Sequence, residues 1–234
     1  MTNIFGVYNI RSRISVALVL LAPILFQGYM FIPELRSLSS TFIVTLITFA
    51  LSNLVIVTSR INGGKALHKC FPNGLPAQQF LLPENQTLDK ITQARYYDFF
   101  KQHLNNFQVS TNASEMKIQS ESAIKWLIAR TRNTTDFPLI AEENTNLGFA
   151  YNLLGIKYYG IFLCIVLLMF DIPLLILSFW GNLNLNHASV LFCFIFTVLY
   201  LLMWILVITK KLVINCAKKY AFALLSACDS DLLI

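Results

Sequence analysis

Charge is what this sequence has least of. Only 13% of its 234 residues are Asp, Glu, Lys or Arg, about half the usual share of a soluble domain. Its hydrophobic share is 56% and its mean hydropathy +0.61, which leaves too little polar surface to solvate a globule. An ordinary soluble protein and a disordered chain are excluded. Cysteine is sparse and odd in number, five residues at 70, 164, 193, 216 and 228 without zinc spacing, so a secreted disulfide scaffold is excluded too. His68, His103 and His187 have no metal-ligand spacing. Lys65 follows Gly63 and Gly64, but Ser59 and Ala66 stand where a phosphate loop needs Gly and Ser or Thr. No Ser-His-Asp set can be drawn. The chemistry-bearing patterns of enzymes are missing, and no cofactor or metal is implied.

What is present is long apolar runs. They fall in two pairs, about 14–32 with 41–57, and about 159–180 with 188–208, and none contains Lys or Arg. A membrane helix takes roughly 17–25 apolar residues. The first run is too long for a signal-peptide core, lacks an evident cleavage site and is soon followed by the second. The pattern predicts an all-α membrane protein in which two transmembrane helical hairpins flank a mainly helical cytoplasmic domain. The expected organisation is a tail and first hairpin over 1–59, a cytoplasmic domain over 60–158, a second hairpin over 159–208 and a cytoplasmic C-terminal helix over 209–234.

The net charge of +6 supports that orientation. Seventeen of the eighteen Lys and Arg fall in the N-terminal tail, the 60–158 segment and the C-terminal segment, and only Arg36 falls in the turns between paired runs. The positive-inside rule therefore places both termini and the central segment in the cytoplasm. The glycosylation patterns at Asn85, Asn112 and Asn133 then face the cytoplasm and are coincidental.

Within 60–158, the Asn62-Gly63-Gly64 and Pro72-Asn73-Gly74 clusters predict loops or short helices. Apolar spacing predicts helices over 87–106 and 113–132, the second opened by Asn112 with Glu115 three residues on. A third helical stretch is expected to begin near Asn144. In the last segment, Lys210, Lys211, Lys218 and Lys219 alternate with apolar residues. That segment could continue the fourth helix or lie on an anionic leaflet, or its lysines could simply anchor the helix end.

Three sets of residues stand out. Asp171 lies near the middle of the third run, followed by Pro173. A carboxyl at that depth costs a few kcal/mol and is normally hidden from lipid, while Pro173 removes a backbone donor. The pair suits a pore, a gate or an ion-coordinating site, or else an interhelical hydrogen bond made by a protonated Asp. Thr41, Thr45, Thr48 and Ser52 recur at spacings of 4, 3 and 4 and share one helical face, which could line water or allow close helix packing. Pro23, Gln27 and Gly28 make the first run a kinked, partly polar neighbour. Arg95, Lys101, Lys125, Arg130 and Arg132 sit among aromatics, a pattern that suits phosphates and bases but also a solvated helix face. Eleven basic against eight acidic residues over 60–158 is too small an excess to imply nucleic-acid binding by itself.

Several stretches carry a family resemblance: Arg60-Ile-Asn-Gly-Gly-Lys65, Leu81-Leu-Pro-Glu-Asn-Gln-Thr-Leu-Asp89, Thr92-Gln-Ala-Arg95-Tyr96-Tyr97, Arg130-Thr-Arg132, Phe137-Pro-Leu139, Glu143-Asn144, and Gly148 through Lys157. Together they resemble small polytopic membrane effectors of bacterial anti-phage defence loci, most of all the Hailong type, with retron-linked membrane effectors second. The chain departs from that pattern at Asn73-Gly-Leu-Pro-Ala77, where a fuller Gly-Gly-x-Pro-Thr run is usual. The resemblance implies a homo-oligomeric ion channel in the bacterial inner membrane, a tetramer being the guess. It would be controlled by a nucleotide or oligonucleotide made by a partner nucleotidyltransferase, and its opening would depolarise the infected cell. A secondary transporter, or a non-conducting membrane anchor for a cytoplasmic partner, are the alternatives.

Overall fold

The computed structural model describes residues 10–180 and 186–233. The N-terminal tail through residue 9 and most of the turn expected at 181–187 lie outside the described residues. The described residues are helical and carry no strand. The helices are α1 (Ser15–Phe31), α2 (Leu38–Cys70), α3 (Pro76–Phe80), α4 (Lys90–His103), α5 (Ala113–Arg130), α6 (Pro138–Phe179), α7 (His187–Leu202) and α8 (Lys210–Ser226). Four of the helical stretches are long and apolar enough to cross a membrane: Ser12–Phe31, Ser39–Cys70, Pro138–Phe179 and His187–Val207. Only 6–22% of each one's most apolar stretch is buried inside the chain. So much uncovered apolar surface is tolerable only where the solvent is itself apolar, which is the condition a bilayer supplies.

Two elements are longer than the sequence pattern indicates. α2 runs unbroken through Asn62, Gly63 and Gly64 to Cys70, where loops or short helices were expected. α6 begins at Pro138 rather than near Asn144 and runs 42 residues, about 63 Å at 1.5 Å per residue. That is about twice the hydrocarbon thickness of a bilayer. The 113–132 expectation agrees closely with α5, but its cap differs in detail. The Asn112 carboxamide oxygen accepts from the Ser114 backbone N–H at 3.0 Å, while Glu115 takes the Ser110 hydroxyl at 2.7 Å.

The chain divides into two compact units. The first takes in residues up to Ala66 together with Phe149–Leu212. Its core is Val16, Leu153, Ile156, Cys164, Trp204 and Ile208, all nearly or fully buried. Small residues make that packing close. A Cβ on Gly160 would overlap the Trp204 indole, and one on Gly155 would collide with the Gly63 backbone nitrogen. Gly63 thus gives α2 a smooth spot against which the α6 backbone lies at Gly155. The fourth apolar stretch ends in a π-turn, Met203–Val207, that leaves backbone carbonyls without helical donors. The Lys157 ammonium donates to the carbonyls of Ile205 and Ile208 at 3.0 and 2.7 Å, placing positive charge at a helix C-terminus where it is favoured.

The second unit, Leu67–Gly148 with Val213–Ile234, has an apolar core of its own. Phe80, Leu81, Phe100, Met116, Ile124, Leu127 and Leu224 are at most 2% exposed. Buried polar groups pin the end of α3. Gln93 donates to the carbonyls of Phe80 and Leu82 at 3.0 and 2.8 Å, and the Tyr97 hydroxyl donates to that of Leu81 at 2.6 Å. The Asp89 carboxylate caps α4 by accepting from the Thr92 backbone N–H at 2.8 Å, a bond that holds its pKa below the ordinary value. On α8, Val213, Ala217, Tyr220 and Leu224 form the buried face, and Lys210, Lys211, Lys218 and Lys219 are exposed. The helix is separated from the fourth apolar stretch by non-helical residues at Ile208 and Thr209. Its apolar face is already used inside the protein, so it is not available to rest on a leaflet.

Candidate functional site

Asp171 projects from α6 into the packed interior of the first unit, where it is fully buried. Gln27 of α1 points its carboxamide nitrogen at both carboxyl oxygens, 3.0 Å from Oδ1 and 2.8 Å from Oδ2. Thr197 of α7, also fully buried, donates its hydroxyl to Asp171 Oδ2 at 3.0 Å and lies 3.1 Å from the same Gln27 nitrogen. The Thr197 hydroxyl also reaches the Cys193 carbonyl at 2.9 Å. One carboxyl group therefore ties three helices by hydrogen bonds. At the positions next to Gln27 and Thr197, Phe26 of α1 stacks on Phe196 of α7 at 4.3 Å between ring centroids. Pro173 does not interrupt α6, which continues to Phe179.

The hydroxyl face of α2 looks elsewhere. Thr41, Thr45, Thr48 and Ser52 together line a cavity of about 650 Å³, whose opposite wall includes Leu18, Leu25 and Tyr29 of α1. Three of its polar side chains are turned toward backbone carbonyls one turn earlier. Thr41 Oγ1 donates to the Ser37 carbonyl at 2.8 Å, Thr45 Oγ1 to that of Thr41 at 2.8 Å, and Asn53 Nδ2 to that of Phe49 at 3.1 Å. Donors bonded back to the preceding turn offer little to water. Asp171 and the hydroxyl face are thus two separate features, with α1 contributing Gln27 to one and Leu18, Leu25 and Tyr29 to the other.

The cationic candidates in the second unit are mostly engaged singly. Arg95 makes a forked pair with Asp229, Nε to Oδ1 at 2.7 Å and Nη2 to Oδ2 at 3.0 Å. Asp229, by hydrogen bond and then by charge, raises the guanidinium pKa further. Lys101 pairs with Asp98 at 3.1 Å and Lys125 with Glu121 at 2.7 Å, each one turn apart on its own helix. Arg130 sits 5.5 Å over the Trp126 ring, a cation–π contact. Arg132 is an exposed residue just beyond α5. A cavity of about 230 Å³ between the Pro72–Leu82 region and α5 is lined by Lys117 and Glu121, and by none of these five. They do not converge on one described pocket.

No known protein family, curated protein or solved structure matches this chain.

Gln27 was legible in the sequence as a lone amide in an apolar run. Thr197 was not, because a threonine in a span carries no signal of its partner. Lys157 and Asn152 were also hidden. The Asn152 carboxamide nitrogen donates to the Ser12 carbonyl at 2.9 Å, and its oxygen is buried without a hydrogen-bond partner. A Cβ on Gly63 would come within 2.6 Å of that oxygen.

Proposed function

We propose that the chain is an inner-membrane effector of bacterial anti-phage defence, a homo-oligomeric channel whose opening is controlled by a nucleotide-type ligand. In this reading the four apolar helices form two hairpins with both termini in the cytoplasm, and the second unit is the cytoplasmic sensor. The observation that carries it is the Asp171–Gln27–Thr197 cluster: a buried carboxyl at membrane depth, joined to two other helices only by hydrogen bonds. Such a cluster favours one helix arrangement and can be broken at modest cost, which is what a gate requires. Four helices are too few to enclose a generous aqueous pore, so several protomers, four in the simplest assembly, would surround it. α2 and α6 each supply residues to both units without a break, a continuous path by which a sensor could act on the spans. On the sensor, the exposed Arg95 fork held by Asp229 already has the geometry that a phosphate would take over.

Planar-bilayer recording of the purified full chain tests this. Conductance that changes on adding nucleotides is expected. No conductance, with or without nucleotides, would overturn the reading. The engaged cations and the back-bonded Thr41 and Thr45 hydroxyls favour a second reading, a non-conducting anchor for a protein partner. Capture of one defined soluble partner, with no change in membrane potential on overexpression, would support that instead.

A further inference from the structure

The cavity beside the hydroxyl face has the shape and chemistry of a lipid site. It touches α1 and its preceding turn from Arg13 to Tyr29, and α2 from Thr41 to Ile56. Fifteen residue steps along α2 cover about 22 Å, longer than the roughly 15 Å depth of one leaflet's hydrocarbon. Its walls are mostly apolar side chains, and the Thr41 and Thr45 hydroxyls among them donate to backbone carbonyls one turn earlier. It is open along one side, where Leu18, Tyr29 and Phe49 are exposed, and an apolar groove left uncovered forfeits contacts because its lining atoms have no partners there. Water is a poor filler, since it needs several polar partners within the cavity. An acyl chain needs none.

The charge pattern selects the head group. Among the lining residues Arg13 is the sole charge, and it lies at the N-terminal extreme of the α1 wall. A guanidinium has five N–H donors in a rigid fork, so Arg13 can take a phosphate oxygen alongside its interactions within the chain. A zwitterionic head group brings a compensating cation to that position, whereas an anionic one does not. We propose that this cavity binds one acyl chain of an anionic glycerophospholipid from the surrounding bilayer, with the phosphate on Arg13. The site is independent of whether the protein conducts ions.

Native mass spectrometry of the full chain, released from detergent with added phosphatidylglycerol or phosphatidylcholine of identical acyl chains, tests the proposal. One phosphatidylglycerol per protomer should be retained, at roughly tenfold lower lipid concentration than phosphatidylcholine, a ratio equivalent to about 1.4 kcal/mol. Arg13→Gln should erase that preference and Arg13→Lys should keep much of it. Thr48→Phe, which fills the cavity, should reduce retention of both lipids. Equal retention of the two lipids by the unaltered chain would overturn the proposal, as would a preference that survives Arg13→Gln. So would a Thr48→Phe chain that keeps its lipid but loses its self-association, because a second copy would then be the occupant. Helicity by circular dichroism checks each variant, and if Thr48→Phe misfolds the Arg13 pair decides alone.

Discussion

The Asp171 cluster makes a quantitative prediction through a double-mutant cycle with Gln27. The Gln27 carboxamide nitrogen carries two hydrogens and faces the two Asp171 oxygens at 3.0 and 2.8 Å. Interhelical hydrogen bonds in membrane proteins average about 0.6 kcal/mol and reach about 1.7. The two oxygens lie too close together for both N–H bonds to point at them, so one shared bond gives a coupling of about 0.6–1.7 kcal/mol. Asp171→Ala should cost more than Gln27→Ala, because it also removes the acceptor of Thr197 at 3.0 Å and leaves a small cavity. The double variant should then be less destabilised than the sum of the two singles, by the coupling energy. The assay is reversible unfolding of the purified chain in mixed micelles, followed by circular dichroism over increasing denaturing detergent. Additivity within about 0.3 kcal/mol would refute the reasoning, because it would mean the amide and the carboxyl do not stabilise each other in the folded protein. Thr197→Val serves as an internal check. It should weaken but not abolish the coupling, since the Gln27 contacts to both carboxyl oxygens remain.

Two further perturbations probe other parts of the fold. Gly155→Ala should destabilise by about 1–3 kcal/mol, since its Cβ would meet the Gly63 backbone, which cannot rotate away. Gly64→Ala, with nothing within 4 Å of the added carbon, should be neutral or stabilise by up to about 1 kcal/mol through helix propensity; thermal unfolding of the two variants in detergent separates them. Burial pushes the Tyr97 phenol up to about 12, so the folded state favours the neutral form. The stability this contributes is intact below the unfolded phenol value of about 10 and is lost as pH rises from there towards the folded value. Tyr97→Phe should remove that alkaline loss, read as a flatter dependence of the unfolding midpoint on pH between those values.

The four apolar runs were legible because apolar length is a property of consecutive residues and needs no knowledge of neighbours. The helices over 90–103 and 113–130 were legible for a similar reason, their apolar spacing and, for the second, the Asn112 cap being local, whereas the Asp89 cap was not read. Gly63 misled because glycine has two uses. It can break a helix, or it can let another backbone approach one, and only the presence of Gly155 against it distinguishes the two. α8 raised a parallel ambiguity. An amphipathic helix looks the same whether its apolar face meets a leaflet or a protein core, and the burial of Val213, Ala217, Tyr220 and Leu224 resolves it.

The candidate sites divide in the same way. Asp171 announced itself because a carboxyl among apolar residues is costly wherever it lies in a membrane span. Its partners on α1 and α7 are 144 and 26 residues away, a separation that no periodicity encodes. The hydroxyl face of α2 followed from helical spacing alone, but whether it meets water, lipid or another helix depended on what stands opposite. By itself the sequence determined the apolar helices and their polar exceptions, because hydrophobicity and helical period act locally. The tertiary structure alone decided that Asp171 is closed among three helices and that the hydroxyl face borders an apolar cavity. Those outcomes depend on distances between elements, and distance across the fold is what a linear chain does not record.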